Sequence, residues 1–356
     1  MIQKRIETLQ KNLEKGEAVL INEDNNRFYF TGFKSSAGNV LITNENSYLL
    51  IDFRYYEKAA KTVKHLKVLL CEKFYAQINE LLKENGIKRL YIETDSVNLS
   101  QYALLKDRLS ETEISDSNKI AKQIKKQRSI KSEDEIESIK KAQNLTDETF
   151  TYILNKIKTG VTEKEIMLDM EFFARSKGSE GVAFDFIVVS GKNSSLPHGV
   201  PTDKKIEEGD FITMDFGCVI NGYRSDMTRT VAVGNVSDEQ RLVYDTVLKA
   251  QSASLTAIKS GIPCNEIDKI ARDIIAKAGF GKCFGHGLGH SVGLEIHESP
   301  ACNTRDTTPL ETGMIMTVEP GIYLEDKFGV RIEDMVVVTE NGCLNLTNSS
   351  KELIIL

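Results

Sequence analysis

Short apolar runs alternate with amphipathic segments along the first third of the chain. Strand-like runs rich in aliphatic and aromatic residues occur at 18–21, 28–30, 39–43, 47–52, 66–70 and 89–93. Apolar residues at helical spacing occur at 1–15, 54–64, 73–85 and 98–109. Such alternation is typical of an α/β domain.

A polar stretch at 119–134 precedes a strong helical pattern. Ser132 and Glu135 have the spacing of a capping box, which predicts the start of this helix, and Gly160 stands where a C-cap glycine is expected. A chain of 356 residues also exceeds the usual size of a single core. We therefore predict two domains, 1–125 and 126–356.

The second domain contains a gapless internal repeat. IKTGVTEKEI (157–166) and IKSGIPCNEI (258–267) align at an offset of 101 residues. Each copy joins a long helix, predicted to end at its glycine, to a shorter helix, a histidine-containing loop and a strand hairpin. Self-similarity of this kind predicts two copies of one unit, so a site can form where the copies meet. The alternative is that helices ending in glycine merely look alike.

The stretch FITMDFGCVINGYRSDMTRTVAV (211–233) predicts a β-hairpin around the Asn-Gly turn at 221–222. A two-residue turn there places Asp215 opposite Thr228 and puts Asp226 on the same face of the hairpin. Aspartate is a poor strand residue, and like charges on one face repel each other. The presence of Asp215 and Asp226 on one face of a strand hairpin therefore requires a physical explanation.

A second acidic pair lies in MIMTVEPGIYLEDKFGVRIEDMVVV (314–338), where Glu319 and Glu333 are symmetric about Asp326. Arg331 shares the face of Glu333. Four carboxylates in one interior must either take up protons, as acid/base pairs, or bind cations.

The histidines of the chain favour cation binding over protonation of these carboxylates. Four of the five in the chain fall in two short segments, LPHGVP with His198 and FGHGLGHSVGLEIHESP with His286, His290 and His297. The glycines are not a nucleotide fingerprint, because Val292 stands where the third glycine is required. Four carboxylates and one imidazole suit Mn²⁺, Co²⁺ or Fe²⁺ better than a thiolate zinc site. Two such ions would balance the charge and hold a bridging hydroxide as the nucleophile.

Composition narrows the function classes further. A net charge of −6 and a pI near 5.6, with scattered basic residues, give no reason to expect nucleic-acid binding. No apolar run is long enough to predict a membrane span. Six cysteines without paired spacing indicate free thiols and a cytoplasmic location.

Five residues and their flanking strings resemble the pita-bread metallopeptidases (peptidase family M24). The strings are MDFG…YRSDMTRT, HGLGHSVGLEIHE, TVEPGIY and VRIEDMVVVT. Their spacing is similar to that of the branch containing Xaa-Pro dipeptidase (prolidase) and Xaa-Pro aminopeptidase (aminopeptidase P). The resemblance covers the whole chain and implies an α+β protein. A creatinase/prolidase-type N-terminal α/β domain would precede a pita-bread catalytic domain with an internal pseudo-two-fold repeat.

The resemblance also implies residue roles. Two divalent ions per chain, with Mn²⁺ preferred over Co²⁺, Fe²⁺ or Zn²⁺, would be held by Asp215, Asp226, His290, Glu319 and Glu333. Glu319 would also transfer protons, and His198, His297 and Arg331 would serve catalysis and substrate binding. Further substrate-binding candidates are His286 and Arg305, the latter as a cation for a product carboxylate.

The implied function is a metallo-exopeptidase that hydrolyses the Xaa-Pro imide bond, in dipeptides or at the N-terminus of peptides. The resemblance suggests a homodimer. The sequence does not decide between dipeptidase and aminopeptidase P activity. The alternatives are a methionine-aminopeptidase-like enzyme of other specificity and a non-catalytic peptide-binding protein on the same fold. The complete ligand set disfavours the non-catalytic protein.

Overall fold

The computed structural model describes residues 2–356, which divide into two compact units between Arg128 and Ser129. Met1, the first residue of the predicted helix 1–15, lies outside the described residues. The first unit contains helices α1 (Ile2–Gln10), α2 (Asp24–Thr31), α3 (Phe53–Thr62), α4 (Phe74–Glu84) and α5 (Leu99–Arg108); α6 (Lys119–Ser129) follows them. Its strands are β1 (Glu17–Ile21), β2 (Asn39–Thr43), β3 (Ser47–Ile51), β4 (Lys67–Leu70), β5 (Arg89–Ile92) and β6 (Glu113–Ser115).

These six strands form one mixed sheet in the order β4-β3-β2-β1-β5-β6. Strands β1, β2 and β3 are antiparallel neighbours, while β4, β5 and β6 pair in parallel. Buried side chains of β1, β2, β3 and β5 form the core with α4 and α5. The predicted α/β fold of this part of the chain is confirmed, although the short strand β6 was not predicted.

One predicted strand, at 28–30, is wrong, because these residues belong to helix α2. The Glu23 carboxylate caps that helix by accepting hydrogen bonds from the backbone N–H groups of Asn25 and Asn26. Gly32 ends the helix in the left-handed conformation, with φ of 64°. The aromatic run is therefore a buried helical segment, which a short apolar pattern does not distinguish from a strand.

The second unit contains four long helices and twelve strands. The helices are α7 (Glu133–Leu154), α8 (Glu163–Ser176), α9 (Asp238–Ala257) and α10 (Cys264–Lys277). The strands are β7 (Ile187–Ser190), β8 (Phe211–Phe216), β9 (Val219–Ile220), β10 (Tyr223–Arg224), β11 (Met227–Ala232), β12 (Gly289–Ser291), β13 (Glu298–Cys302), β14 (Ile315–Val318), β15 (Gly321–Leu324), β16 (Phe328–Arg331), β17 (Asp334–Val338) and β18 (Cys343–Asn345). They form sheets β11-β8-β7 and β13-β12-β14-β17-β18, with two-stranded ribbons β9-β10 and β15-β16 at the hairpin tips.

The internal repeat is present in the fold. Helices α8 and α10 each have 14 residues, and both their ends are offset by 101 positions. Each follows a longer helix and precedes an antiparallel sheet whose central hairpin carries a ribbon at its tip. The second unit is therefore built from two copies of one helix–helix–hairpin unit.

The long helix of each copy ends before the predicted glycine. Helix α7 ends at Leu154 rather than Gly160, and α9 ends at Ala257 rather than Gly261. Both glycines have positive φ, 93° and 89°, and lie in the turn that follows. Each donates its N–H to a distant carbonyl, so tertiary pairing takes these glycines out of the helix.

The first acidic hairpin has the predicted register. Asp215 on β8 pairs with Thr228 on β11, and the turn residues Asn221 and Gly222 have φ of 52° and 82°, as a type I′ turn requires. The ladder stops between β10 and β11, and Asp226 lies in that interruption.

The second acidic hairpin is interrupted in the same way. Val318 pairs with Asp334 below the interruption, and Gly321 pairs with Arg331 above it, so one register continues through both ladders. The residues in the gap include Glu319 and Glu333. Asp226, Glu319 and Glu333 thus lie where the ladder pairing is interrupted, whereas Asp215 stays within the ladder.

Gly217 closes the interruption opposite Asp226, and its missing side chain is a packing requirement. A Cβ at this position would lie 1.9 Å from the carbonyl oxygen of Ser225. We expect Gly217→Ala to lower the free energy of unfolding by about 2 kcal/mol, because the backbone must move to admit the methyl group. Gly181→Ala is the control, since no other described atom lies within 4 Å of its added Cβ. Equal melting temperatures for the two variants would contradict this account.

Candidate metal centre

One cavity of about 700 Å³ in the second unit collects all ten predicted site residues. They come from both copies of the repeat. The residues are Asp215, Asp226, His198, His286, His290, His297, Arg305, Glu319, Arg331 and Glu333.

Three side chains that could hold a metal ion converge in this cavity. Asp226, His290 and Glu333 each offer a ligand atom, and these atoms all lie within 4.8 Å of one another. His290 Nε2 is 3.6 Å from Asp226 Oδ2 and 3.3 Å from Oε1 of Glu319. The other ring nitrogen, Nδ1, is 3.2 Å from the Ser291 carbonyl. Because a carbonyl only accepts, we assign a proton to Nδ1. Nε2 faces Asp226 and Glu319, and it could coordinate a metal ion that displaces the proton it shares with Glu319.

Three carboxylate oxygens of the cluster lack a hydrogen-bond partner among the described residues. They are Asp215 Oδ1, Asp226 Oδ1 and Glu333 Oε1, and all three are buried. Buried polar atoms in folded proteins nearly always have a partner. The second oxygen of Asp215 accepts from Arg331 Nη2 at 2.6 Å, and that of Glu333 accepts from Thr228 Oγ1 at 2.8 Å. Acceptor-only atoms held in this way beside one imidazole fit a hard or borderline divalent cation.

The electrostatics of the cluster support the same conclusion. Burial raises the pKa of Asp226 well above its ordinary value, and the charges of Glu333 and Asp215 raise it further. Burial likewise raises the pKa of Glu333, with Glu319 and Asp215 adding to the effect. Without a cation these two carboxyls therefore keep their protons to higher pH than ordinary carboxyls do, and a divalent ion would displace those protons.

The pKa of Glu319 is shifted in the opposite direction, below its ordinary value. Burial alone would raise its pKa, but the hydrogen bond and charge of His290 outweigh burial and lower the pKa to about 2. Burial would lower the pKa of His290, yet its bond to Glu319 raises it. Glu319 is therefore a carboxylate at neutral pH and can accept a proton.

Arg331 is the single guanidinium within this acidic cluster. Its Nη2 donates to Asp215, and its Nε donates to Thr228 Oγ1 at 3.0 Å. The Thr228 hydroxyl in turn donates a hydrogen bond to Glu333. Arg331 therefore orients one candidate ligand directly and a second through Thr228, while its charge offsets part of the repulsion among the acids.

Tyr323 links Arg331 to His286. Its hydroxyl accepts from Arg331 Nη1 at 2.8 Å and lies 2.9 Å from His286 Nε2. Burial raises the pKa of this tyrosine to about 12, so it stays protonated. His286 thus bonds to Tyr323 and Gly287, and its hydrogen bonds do not reach the acidic cluster.

Sequence reasoning missed Thr228, Tyr323 and Thr317 as parts of the site. The Thr317 hydroxyl donates to Glu319 Oε1 at 3.1 Å and accepts from the backbone N–H of His290 at 3.0 Å. Strand parity could have identified Tyr323 and Thr317. Alternate residues of a strand face the same side, and both residues are an even number of positions from Glu319. Thr228 was available as the residue directly opposite Asp215.

Threonines of β11 also join the two copies of the repeat. The Glu333 N–H donates to the Thr228 carbonyl at 3.1 Å. Thr230 Oγ1 donates to the Arg331 carbonyl at 3.0 Å and lies 3.2 Å from the Arg331 N–H. This β11 seam, formed by Thr228 and Thr230, fixes the first hairpin against the second.

The remaining predicted residues lie around the cluster. The His297 ring centroid is 4.4 Å from that of His290, and burial, with the charge of His290, lowers the His297 pKa. His198 lies on the segment after β7, and Arg305 is exposed at the cavity wall. The apolar part of the wall comes from Phe184, Ile187, Pro197 and Ile296.

Comparison with known proteins identifies this arrangement. Residues 137–340 match the sequence model of metallopeptidase family M24, and residues 5–130 match the creatinase/prolidase N-terminal domain. The chain belongs to metallopeptidase family M24. It is 40% identical to the Xaa-Pro dipeptidase of Pyrococcus horikoshii, over 99% of this chain and 98% of that protein.

Two solved structures share the fold of this M24 chain over nearly its whole length. The Xaa-Pro dipeptidase from Bacillus anthracis has a TM-score of 0.96 and 40% identity, and the match covers 100% of both chains. The X-Pro aminopeptidase from Thermotoga maritima has a TM-score of 0.90 and 37% identity, covering 98% of this chain and 99% of that one. The predicted family and pita-bread fold class are confirmed.

Membership of M24 makes the protein a metallopeptidase that uses divalent metal ions, which agrees with the donor set of the cavity. None of the helices within residues 2–356 is both long and apolar enough to cross a membrane.

The raised pKa values of Asp226 and Glu333 predict how the metal-free M24 protein responds to pH. A carboxyl whose pKa is raised on folding contributes stability below its unfolded pKa, near pH 4, and that stability is lost as pH rises through the folded pKa. We therefore expect the melting temperature of chelator-treated protein to fall as the pH is raised from about 4 towards neutrality. Added Mn²⁺ should restore it, because binding stabilises the folded state.

Thermal unfolding across this pH range tests the expectation, with Glu333→Gln as the matched variant. The variant removes one titrating group and one ligand, so both the pH slope and the Mn²⁺ effect should shrink. A melting temperature that rises with pH in the metal-free protein would refute it.

Proposed function

We propose that this protein is a metal-dependent Xaa-Pro dipeptidase, with Mn²⁺ as the preferred ion. The observation that carries the proposal is the convergence of Asp226, His290 and Glu333, with carboxylate oxygens left unpaired in a buried cavity. The named activity of the relatives from Pyrococcus horikoshii and Bacillus anthracis supports the substrate class.

The proposed ligands are Asp215, Asp226, His290, Glu319 and Glu333. Bound divalent ions would polarise the substrate carbonyl and lower the pKa of a water molecule. Glu319 is ionised at neutral pH, and in this proposal it would accept a proton from the attacking water and pass it to the leaving proline nitrogen.

His198 and His297 would hold the substrate. In this proposal their ring N–H groups donate hydrogen bonds to the carbonyl oxygen as it gains charge. A neutral imidazole still has one N–H to donate, so the lowered pKa of His297 is compatible with this role. Arg331 would keep Asp215 in place throughout the reaction.

Proline explains the use of a dedicated enzyme. The Xaa-Pro bond has no N–H, so a peptidase that binds this donor loses a contact. The apolar wall of Phe184, Ile187 and Ile296 offers a surface for the pyrrolidine ring without demanding a hydrogen bond.

In this proposal, Arg305 favours a dipeptidase over an aminopeptidase. Its guanidinium lies exposed on the cavity wall. A dipeptide presents its C-terminal carboxylate within the cavity, where Arg305 could bind it, whereas a longer peptide does not. Aminopeptidase P activity is the second candidate, favoured by the similarity to the Thermotoga maritima enzyme.

The proposal also includes a homodimer in the cytoplasm. All six cysteines are free thiols, which suits a reducing compartment.

A small substrate panel tests the function. Mn²⁺-loaded protein should hydrolyse Xaa-Pro dipeptides, while matched Xaa-Ala dipeptides should be poor substrates. Glu319→Gln should lower kcat by about 1000-fold or more, because it removes a ligand and the proton acceptor together. An active Glu319→Gln variant, or a wild-type protein that binds Mn²⁺ but cleaves no Xaa-Pro substrate, would defeat the proposal.

The role of Arg305 has its own test. We expect Arg305→Gln to raise KM for an Xaa-Pro dipeptide by about 10-fold to 100-fold, the loss of a charge-assisted hydrogen bond. KM for the amidated dipeptide, which lacks the carboxylate, should not change. Arg241→Gln, at an exposed arginine outside the cavity lining, serves as the control. Equal effects on both substrates would rule out carboxylate binding.

A further inference from the structure

Glu163 is a fully buried carboxylate that the proposed mechanism does not use. It lies in the first turn of α8, directly after the N-cap Thr162. Its two oxygens accept hydrogen bonds from three residues of one segment. The donors are Ser190 N–H at 2.6 Å and Oγ at 2.9 Å, Asn193 Nδ2 at 3.1 and 3.2 Å, and Thr202 N–H at 2.9 Å and Oγ1 at 2.7 Å.

The segment 190–202 carries His198. On either side of this histidine, Leu196 is 57% exposed and Val200 is 76% exposed, so these two side chains do not anchor the loop in a core. At the tip itself, Arg331 Nη1 donates to the Pro197 carbonyl at 3.2 Å. The position of His198 therefore depends on how the rest of the segment is held, and Glu163 binds its beginning, its first turn and its end.

The internal repeat shows that this carboxylate is not needed for the repeated unit itself. At the offset of 101 residues, the equivalent position in α10 is Cys264. Helix α10 has the same length as α8 and begins at the same point of the unit without a carboxylate there. The carboxylate of Glu163 therefore serves a feature of the first copy, namely the segment 190–202 that it binds.

We propose that Glu163 is a positioning residue that sets the distance of His198 from the scissile bond. The inference rests on the proposed Xaa-Pro peptidase activity. Only a carboxylate can accept from all these donors at once, because glutamine would turn its own N–H groups toward the N–H groups of Ser190 or Thr202. One end of the segment would then be released, and His198 would move with it.

A double-mutant cycle on the Mn²⁺-loaded enzyme tests the proposal. We expect Glu163→Gln to lower kcat/KM for an Xaa-Pro dipeptide by about 100-fold, the effect of misplacing a substrate-orienting group by about 1 Å. In the His198→Ala background the same substitution should have little further effect, because the group that it positions is gone. Losses that multiply in the double variant would overturn the proposal, since they indicate independent roles.

Metal binding and a matched control separate positioning from general damage. Glu163→Gln should bind Mn²⁺ in calorimetry like the wild type, because the segment holds none of the proposed ligands; weakened binding would count against the proposal. Glu165→Gln changes the same residue type two positions along α8, where the side chain is exposed and forms the capping box with Thr162. This control should keep wild-type kinetics.

If Glu163→Gln does not fold, Thr202→Val removes one donor and leaves the carboxylate in place. It should give a smaller loss that again disappears in the His198→Ala background, and a multiplicative loss would overturn the proposal. An inactive wild-type protein would overturn the proposed function together with this inference. An active wild type with independent losses would overturn the role of Glu163 alone.

Discussion

Repulsion among buried carboxylates is the constraint on which the catalytic unit depends. Asp215, Asp226, Glu319 and Glu333 share one cavity with one buried arginine, Arg331. Desolvation and mutual repulsion raise the pKa of Asp226 and Glu333, and their spare oxygens find no donor within the described residues. Arg331 and Thr228 donate to one oxygen each of Asp215 and Glu333, so the unpaired oxygens remain available to cations. With all its carboxyls ionised, the cluster needs positive charge between its members.

The duplicated unit explains how such a cluster can be assembled. A sheet face crowded with acids would weaken its own ladder, because like charges on facing strands repel. Both hairpins avoid this by interrupting the ladder at Asp226 and at the Glu319–Glu333 pair, while the same register continues beyond the gap. Three of the four acids thus lie in an interruption of the ladder, with paired strands on both sides of it, and only Asp215 lies within the ladder.

Much of this arrangement could be predicted from the sequence, because it follows from local rules. Turn chemistry at Asn221 and strand parity fix which face Asp215 and Asp226 share, and the repeat offset predicts matching helices. The predictions that failed have two different causes. The end of α7 shifts because Gly160 pairs with the distant Ile206 carbonyl. Residues 28–30 are helical, with a local cap from Glu23, because a short apolar run alone does not distinguish a helix from a strand. The link from Tyr323 to His286 joins segments whose distance no local pattern encodes.

The β11 seam has a consequence for ion selection. Thr228 and Thr230 bind the backbone of the second hairpin, so the gap between Asp215 on one side and Glu333 on the other is set by main-chain geometry rather than by flexible side chains. A rigid gap discriminates by ionic radius, whereas a soft one adapts to whatever ion is abundant. Hydrogen bonds from Thr228 and Thr230 that held this gap at a fixed width would make ionic radius, besides ligand chemistry, a basis for choosing among similar metals.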